Sequence, residues 1–166
     1  MLDEAGLRQR AKLIQAVRCF FVGRGYMEVD TPLRLPVLIP EAHNRAVESD
    51  GFFLQTSPES CMKRLLAEAG CSRIFQVCRC FRGKERGDRH LPEFTMLEWY
   101  RTACDYLSLM EECEDLLVEV AREAGSGVSL SVQGAAVDLA KPWERLTVAD
   151  AFSRYAPLPL NRALAQ

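Results

Sequence analysis

Between Phe81 and Tyr100 the chain reads FRGKERGDRHLPEFTMLEWY, and much of its chemistry-bearing material is crowded into this one connection. Arg82, Lys84, Glu85, Arg86, Asp88, Arg89 and His90 stand between two runs that alternate as strands do. A hairpin loop needs about two to five residues, so the stretch 82–92 is long enough to read as a working part rather than a spacer. Guanidinium forks bind phosphate oxygens bidentately. Arg82 at the end of one strand, with Arg89 and His90 at the loop's return, therefore suits a polyphosphate. On the following strand, alternation points Phe94, Met96, Glu98 and Tyr100 one way and Thr95, Leu97, Trp99 and Arg101 the other. A ring, a carboxylate and a phenol in a row suit a pocket in which Phe94 stacks on a planar group and Glu98 and Tyr100 receive a cation or donors. A solvated charged loop over a core strand fits the same residues, and so does a groove for single-stranded RNA.

Elements on either side must position this hairpin, whose strands are expected over 73–82 and 93–101. Residues 3–22 carry Leu7, Ala11, Ile14, Val17 and Phe21 at helical spacing, and Gly23 and Gly25 follow as a stop. YMEVDTP reads as a short strand closed by Pro32, and LRLPVLIPE, broken by Pro36 and Pro40, as irregular or edge structure. Phe52 to Gln55 is expected as a strand. Ser57 is then an N-cap and Pro58 an N1 residue for a helix with Met62, Leu65, Leu66 and Ala69 inside and Gly70 at its end. Asp105 to Ala124 is expected as a helix with Tyr106, Leu109, Met110, Cys113, Leu116, Leu117 and Val120 on the buried face and the acids outside. Two short strands (128–132 and 135–139), a helix capped by Thr147 and a weakly structured terminus complete the chain. The order implies an α+β fold with an antiparallel sheet flanked by helices.

Composition narrows the function classes. Lys and Arg total 21 against 23 Asp and Glu, a net charge of −2, so anion binding has to be local rather than global. No apolar run reaches the roughly 18 residues of a membrane span, and the N-terminus lacks a signal-peptide core, so a cytoplasmic protein without a membrane partner is expected. The cysteine count, 7, is odd and no spacing resembles a disulfide scaffold. Cys78 and Cys80 form C-x-C with Cys71 upstream. On a strand such a pair only shares a face, and no second pair completes a tetrahedron, so the expectation is buried reduced thiols and no metal ligand set.

The hairpin sequence resembles motif 2 of the class II aminoacyl-tRNA synthetases, in the lysyl branch, where F-R-x-E, a charged loop and R-H-x-P-E-F-T recur. GYMEVDTP resembles the end of motif 1, TSPESCMKRLL the family's T-S-P-E segment, and PWERLTVADAF the stretch after motif 2. These similarities run in the family's order over most of the chain, with motif 1 at about 10–32 and motif 2 at about 73–101. TMLEWYR, and a motif 1 helix that begins almost at Met1 without a preceding anticodon-binding β-barrel, resemble the short paralogues of this branch that lysylate elongation factor P.

The resemblance implies ATP-dependent activation of lysine or (R)-β-lysine as an aminoacyl adenylate, followed by transfer to a lysine of elongation factor P. It implies Arg82 on the α-phosphate and substrate carboxylate, Arg89 and His90 on the outer phosphates, and Phe94 on adenine. Ser57, Pro58, Glu59 and Tyr100 fall at substrate-contacting positions, with Glu59 and Glu98 as carboxylates for the ammonium groups. From the residues alone, Ser57 is equally an N-cap and Glu59 a first-turn acid favoured by the helix dipole. Two positions depart from the family. F-R-x-E becomes Phe81-Arg82-Gly83-Lys84, with Glu85 one place late, and the asparagine after His90 becomes Leu91. Lys84 cannot accept a hydrogen bond, so either Glu85 swings in to meet adenine or that contact is lost.

Two other functions compete: lysine transfer to tRNA, disfavoured here by the lack of an anticodon domain, and a non-catalytic synthetase-like module that binds a nucleotide or regulates a partner. The resemblance also implies a homodimer through motif 1. After Tyr100 there is no G-x-G-x-G-x-D-R segment. The chain is thus expected to be an N-terminal portion of the catalytic domain, truncated before motif 3, with the Mg²⁺ ligands in the remainder and no turnover of its own.

Overall fold

The computed structural model describes residues 2–42 and 44–165. Helix α1, Glu4–Gly23, starts at Asp3, whose carboxylate accepts from the Gly6 N–H at 2.8 Å. It stops before Gly25, which sits at φ 76, a conformation glycine adopts without a Cβ penalty. The buried residues of α1 are Ala16, Val17, Phe20 and Phe21, all in its C-terminal half. The expected stripe is therefore only half used: Leu7 and Ala11 are exposed.

Strand β1, Met27–Glu28, follows, then β2, Arg34–Leu35, β3, Val47–Ser49, and β4, Phe52–Leu54. Helix α2 is Glu59–Ala69, β5 is Arg73–Phe81, and β6 is Glu93–Arg101. β5 and β6 pair antiparallel from Arg73↔Arg101 to Phe81↔Glu93, while β1 joins the other side of β5 in parallel. In a second antiparallel sheet, ordered β2-β4-β3, β4 is the strand expected at Phe52, β2 falls in the stretch expected to be irregular or edge structure, and β3 lies where no element was expected. It is tied to the hairpin by Phe81 N–H to Gln55 O at 2.9 Å and Gly83 N–H to Arg45 O at 2.8 Å. A Cβ on Gly83 would meet the Ala46 carbonyl at 3.3 Å, so glycine permits this close approach.

Helix α3, Tyr106–Glu123, is capped by Asp105, which accepts from Ser108 N–H at 2.9 Å. It packs with α1 over one face of the β5–β6 ladder. The core there is Val17, Phe20, Phe21, Tyr26, Phe75 and Leu116, with Val77, Leu97 and Trp99 against it. Phe21 stacks on Phe75 at 4.9 Å and lies 5.3 Å from Trp99. The expected polarity of α3 is corrected here. Glu112 and Glu114 are buried, whereas Tyr106 and Leu117 are exposed. Both acids are buried because each has partners: Glu112 accepts from Tyr26 Oη at 2.6 Å and Trp99 Nε1 at 3.2 Å, and Glu114 pairs with Arg145.

Strands β7, Ser129–Val132, and β8, Ala135–Asp138, form a hairpin turning through Gln133 and Gly134, both at positive φ. Helix α4, Val148–Tyr155, is capped by Thr147 as expected, and α5, Leu160–Leu164, occupies the terminus read as weakly structured. Among the described residues no helix is long and apolar enough to cross a membrane. The architecture is α+β, as the alternation and hairpin order imply.

Candidate functional site

One face of the β5–β6 ladder is spent on the core, so the other is free for ligands. Cross-strand register places Ile74, Gln76, Cys78 and Cys80 opposite Tyr100, Glu98, Met96 and Phe94 on that second face. The faces assigned to β6 from alternation are the ones observed.

At the loop end, a cavity of about 230 Å³ is lined by Arg82, Glu85, Arg89, His90, Leu91 and Phe94. The Arg82 guanidinium lies 5.2 Å above the Phe94 ring. Its Nε is buried and, among the described residues, has neither a hydrogen-bond partner nor an acid paired with it. The loop closes on itself at Gly87 and His90, which exchange backbone hydrogen bonds at 3.3 Å and set Arg89 and His90 back toward β6. Glu85 lines the cavity. Lys84 does not: it is exposed, with φ 66. A larger open hollow of about 760 Å³ between α1 and α3 includes none of the sequence-predicted site residues.

At the other end, α2 brings its first turn over the ladder. Glu59 pairs with Lys63 at 2.5 Å, and Lys63 Nζ lies 5.9 Å from the Tyr100 ring centre. Tyr100 Oη donates to Glu98 Oε1 at 2.5 Å. Burial, reinforced by the negative charge of Glu59, pushes the Glu98 carboxyl above its ordinary range against the Tyr100 hydrogen bond, and Glu41 acts in the same direction. Burial and the Glu98 carboxylate together raise the Tyr100 phenol. Carboxylates that disfavour each other's ionisation are stabilised by a cation placed among them.

Ser57 is not the N-cap expected of it. Pro58 holds that position, with no side-chain capping bond, and Ser57 Oγ is buried without a partner among the described residues. Gln55 Oε1 and Gln76 Nε2 are likewise unpartnered, although Thr31 Oγ1 donates to Gln76 Oε1 at 3.0 Å. Buried polar atoms without partners are costly, and a run of them along one face suits a polar ligand. The sequence reading missed Gln55, Gln76, Thr31, Lys63 and Glu41. Gln76 was recoverable, since it shares the face of Glu98 by strand alternation; the other four depend on how separate segments meet.

The family model for tRNA synthetases class II (D, K and N) matches residues 4–165. A lysine–tRNA ligase of Azoarcus sp. (strain BH72) is 38% identical over 154 residues, which is 89% of this chain and 30% of that protein. Elongation factor P–(R)-beta-lysine ligases of Vibrio atlanticus and Vibrio campbellii are 41% and 43% identical over 143 residues, 80% of this chain and 44% of theirs. The chain thus spans less than half the length of these relatives.

Proposed function

Because this chain belongs to the class II tRNA synthetases (D, K and N), we propose that it carries the ATP-binding and amino-acid-binding face of a ligase that activates lysine or (R)-β-lysine as an adenylate. One observation carries the reading. A single sheet face runs from an arginine-lined cavity, with Arg82 lacking an acid partner, to the half-buried Glu98 carboxyl, which the charge of Glu59 on α2 helps to raise. The first suits phosphates and the second an ammonium-bearing amino acid.

In that reaction the substrate carboxylate attacks the α-phosphate and pyrophosphate leaves. The carboxylate is already a nucleophile, so the protein's work is positioning and charge neutralisation. Arg82 lines the loop-end cavity and holds the α-phosphate for the attacking carboxylate. Arg89 and His90 receive the outer phosphates, and Phe94 provides the ring on which adenine stacks. Glu85, rather than Lys84, accepts from the adenine amino group, and Leu91 adds an apolar wall. Ser57 and Tyr100 direct polar groups at the amino acid, with Pro58 fixing the entry to α2. Mg²⁺ accompanies ATP in this family. Among the described residues no three His, Cys, Asp or Glu side chains converge to hold a metal, and no step is assigned to the ion here.

The second substrate we propose is a lysine side chain of elongation factor P, supported by the 41% and 43% identities to ligases of that name against 38% for the tRNA ligase. The longer match to the tRNA ligase, 89% of the chain, favours tRNA as the alternative acceptor. The exposed Leu7, Leu13, Val22 and Met27 on α1 and β1 suit pairing with a second copy, testable by sedimentation. The function itself is tested by calorimetric titration of ATP and of each lysine isomer into the chain. Radiolabelled lysine transfer by the whole protein to elongation factor P and to tRNA is then compared. Binding of both ligands with transfer to the factor is expected. Preferential tRNA charging would reverse the acceptor, and binding of nucleotide without any pyrophosphate exchange would mark a non-catalytic module.

A further inference from the structure

Three sulfurs converge on the ligand face between the two pockets. Cys78 Sγ lies 3.8 Å from Cys80 Sγ, and Cys80 Sγ lies 3.8 Å from Met96 Sδ. Cys78 and Met96 are direct cross-strand partners, so the ladder holds the third pair on the same face. Both cysteines are free thiols. Cys80 is fully buried, while Cys78 and Met96 are half-buried and leave a way in from the ligand side.

The spacing has a chemical meaning. Three sulfurs in a plane around one ion, each about 2.3 Å from it, stand about 2.3 × √3, or about 4.0 Å, apart. The two separations from Cys80, both 3.8 Å, need little adjustment to meet that. Two thiolates and a thioether are soft donors that select ions of the Cu(I) kind over Mg²⁺ or Ca²⁺. They stand on paired strands rather than on a loop, so they are held in place before any ion arrives.

We propose that Cys78, Cys80 and Met96 form a binding site for a soft monovalent cation, Cu(I) or a chemical equivalent. Two thiolate–metal bonds and one thioether–metal bond form, the two thiol protons pass to solvent, and no electrons are transferred. The site lies beside Phe94 and Glu98, so an ion there obstructs the face used by ligands. The proposal stands on the sulfur geometry and does not depend on which acceptor the ligase serves.

The test is anaerobic titration of the 166-residue chain with Cu(I) held by bicinchoninate, repeated with Ag(I) as a second probe. One ion per chain should be withdrawn from the chelator, and X-ray absorption should show sulfur scatterers at about 2.3 Å. Cys78→Ser and Cys80→Ala should each lose that ion, and Met96→Leu should weaken binding and remove one sulfur scatterer. Cys61→Ser and Cys113→Ser should bind as the parent does. Circular dichroism checks each variant. If Cys80→Ala does not fold, Cys78→Ser and Met96→Leu decide alone, since both positions are half-buried. Undiminished uptake in Cys78→Ser and Met96→Leu would overturn the site, as would binding that disappears in Cys19→Ser.

Discussion

Replacing Arg82 with alanine distinguishes an arginine kept for a ligand from one kept for the fold. In the structure the guanidinium makes no hydrogen bond or ion pair among the described residues, and its one aromatic contact is the Phe94 ring at 5.2 Å. Losing that contact and some packing of the stem should change unfolding free energy by only about 1 kcal/mol or less. A phosphate ligand would lose charge-assisted hydrogen bonds worth about 1.5–3 kcal/mol, which is about a 10- to 100-fold rise in Kd for ATP. Calorimetric ATP titration and urea denaturation of the same preparations measure the two numbers side by side. Arg82→Lys, which keeps the charge but not the fork, should fall between parent and alanine. An ATP affinity within about threefold of the parent would refute the reasoning, because the retained interactions could not include the strongest one assigned. Loss of affinity accompanied by destabilisation well beyond about 1 kcal/mol would show that Arg82 serves the fold instead.

Lys84→Glu should leave ATP affinity within about twofold in the same titration, because Lys84 is exposed and outside the cavity lining and surface changes of this kind stay within about 0.5 kcal/mol. Glu85→Ala should weaken ATP but not inorganic pyrophosphate, a difference read by competition, since Glu85 is assigned to adenine alone. The raised carboxyl of Glu98 predicts that lysine binding weakens as pH falls, at a pH above the ordinary carboxylate range, because only the ionised form pairs with an ammonium. A binding profile flat down to that ordinary range would remove Glu98 from the pocket. The same shift has a sign for folding: the folded state holds the proton more tightly than the unfolded chain, so this group lowers stability as pH rises from the ordinary range through the raised one. Glu112→Ala should destabilise by about 2–4 kcal/mol in urea, since it strands the Tyr26 hydroxyl and the Trp99 indole N–H, and Glu112→Gln should cost less by keeping an acceptor.

What was readable in advance follows from range. The ladder of β5 and β6 and the Thr147 cap are set by residues within a few positions of each other, and alternation or capping chemistry exposes them directly, whereas of the expected α2 stripe only Met62 is buried and Ala69 is exposed. The misreadings lie where distant segments decide. Glu112 and Glu114 look like solvent-facing acids until Tyr26, Trp99 and Arg145 arrive from elsewhere in the chain. Leu7 and Ala11 fit a buried stripe by spacing, yet spacing cannot report how far the surface beneath a helix extends. The strand β3 is only Val47–Ser49 and its pairing with β4 is set by register, too short a run for a periodic signal.

The candidate site divides along the same line. Phe94, Glu98 and Tyr100 were assigned to one face because period two leaves no choice, and the loop residues stood out by charge. The thiols of Cys78 and Cys80 were seen as a pair and set aside because a pair does not complete a metal's shell. What completes it is Met96, which strand register alone brings opposite Cys78, across a loop whose length hides the pairing. The three sulfurs and the two ligand pockets thus come from one geometric fact. A nine-residue ladder whose other face is packed by α1 and α3 must display every second side chain of both strands in a single row. In that row, charge at the two ends suits substrates and softness in the middle suits a metal. A ligand and a soft ion should therefore compete for the row rather than bind independently, and titrating ATP into the Cu(I)-loaded chain should show weaker binding than in the metal-free chain. Equal affinities would mean that the ion lies too deep to touch the nucleotide's path.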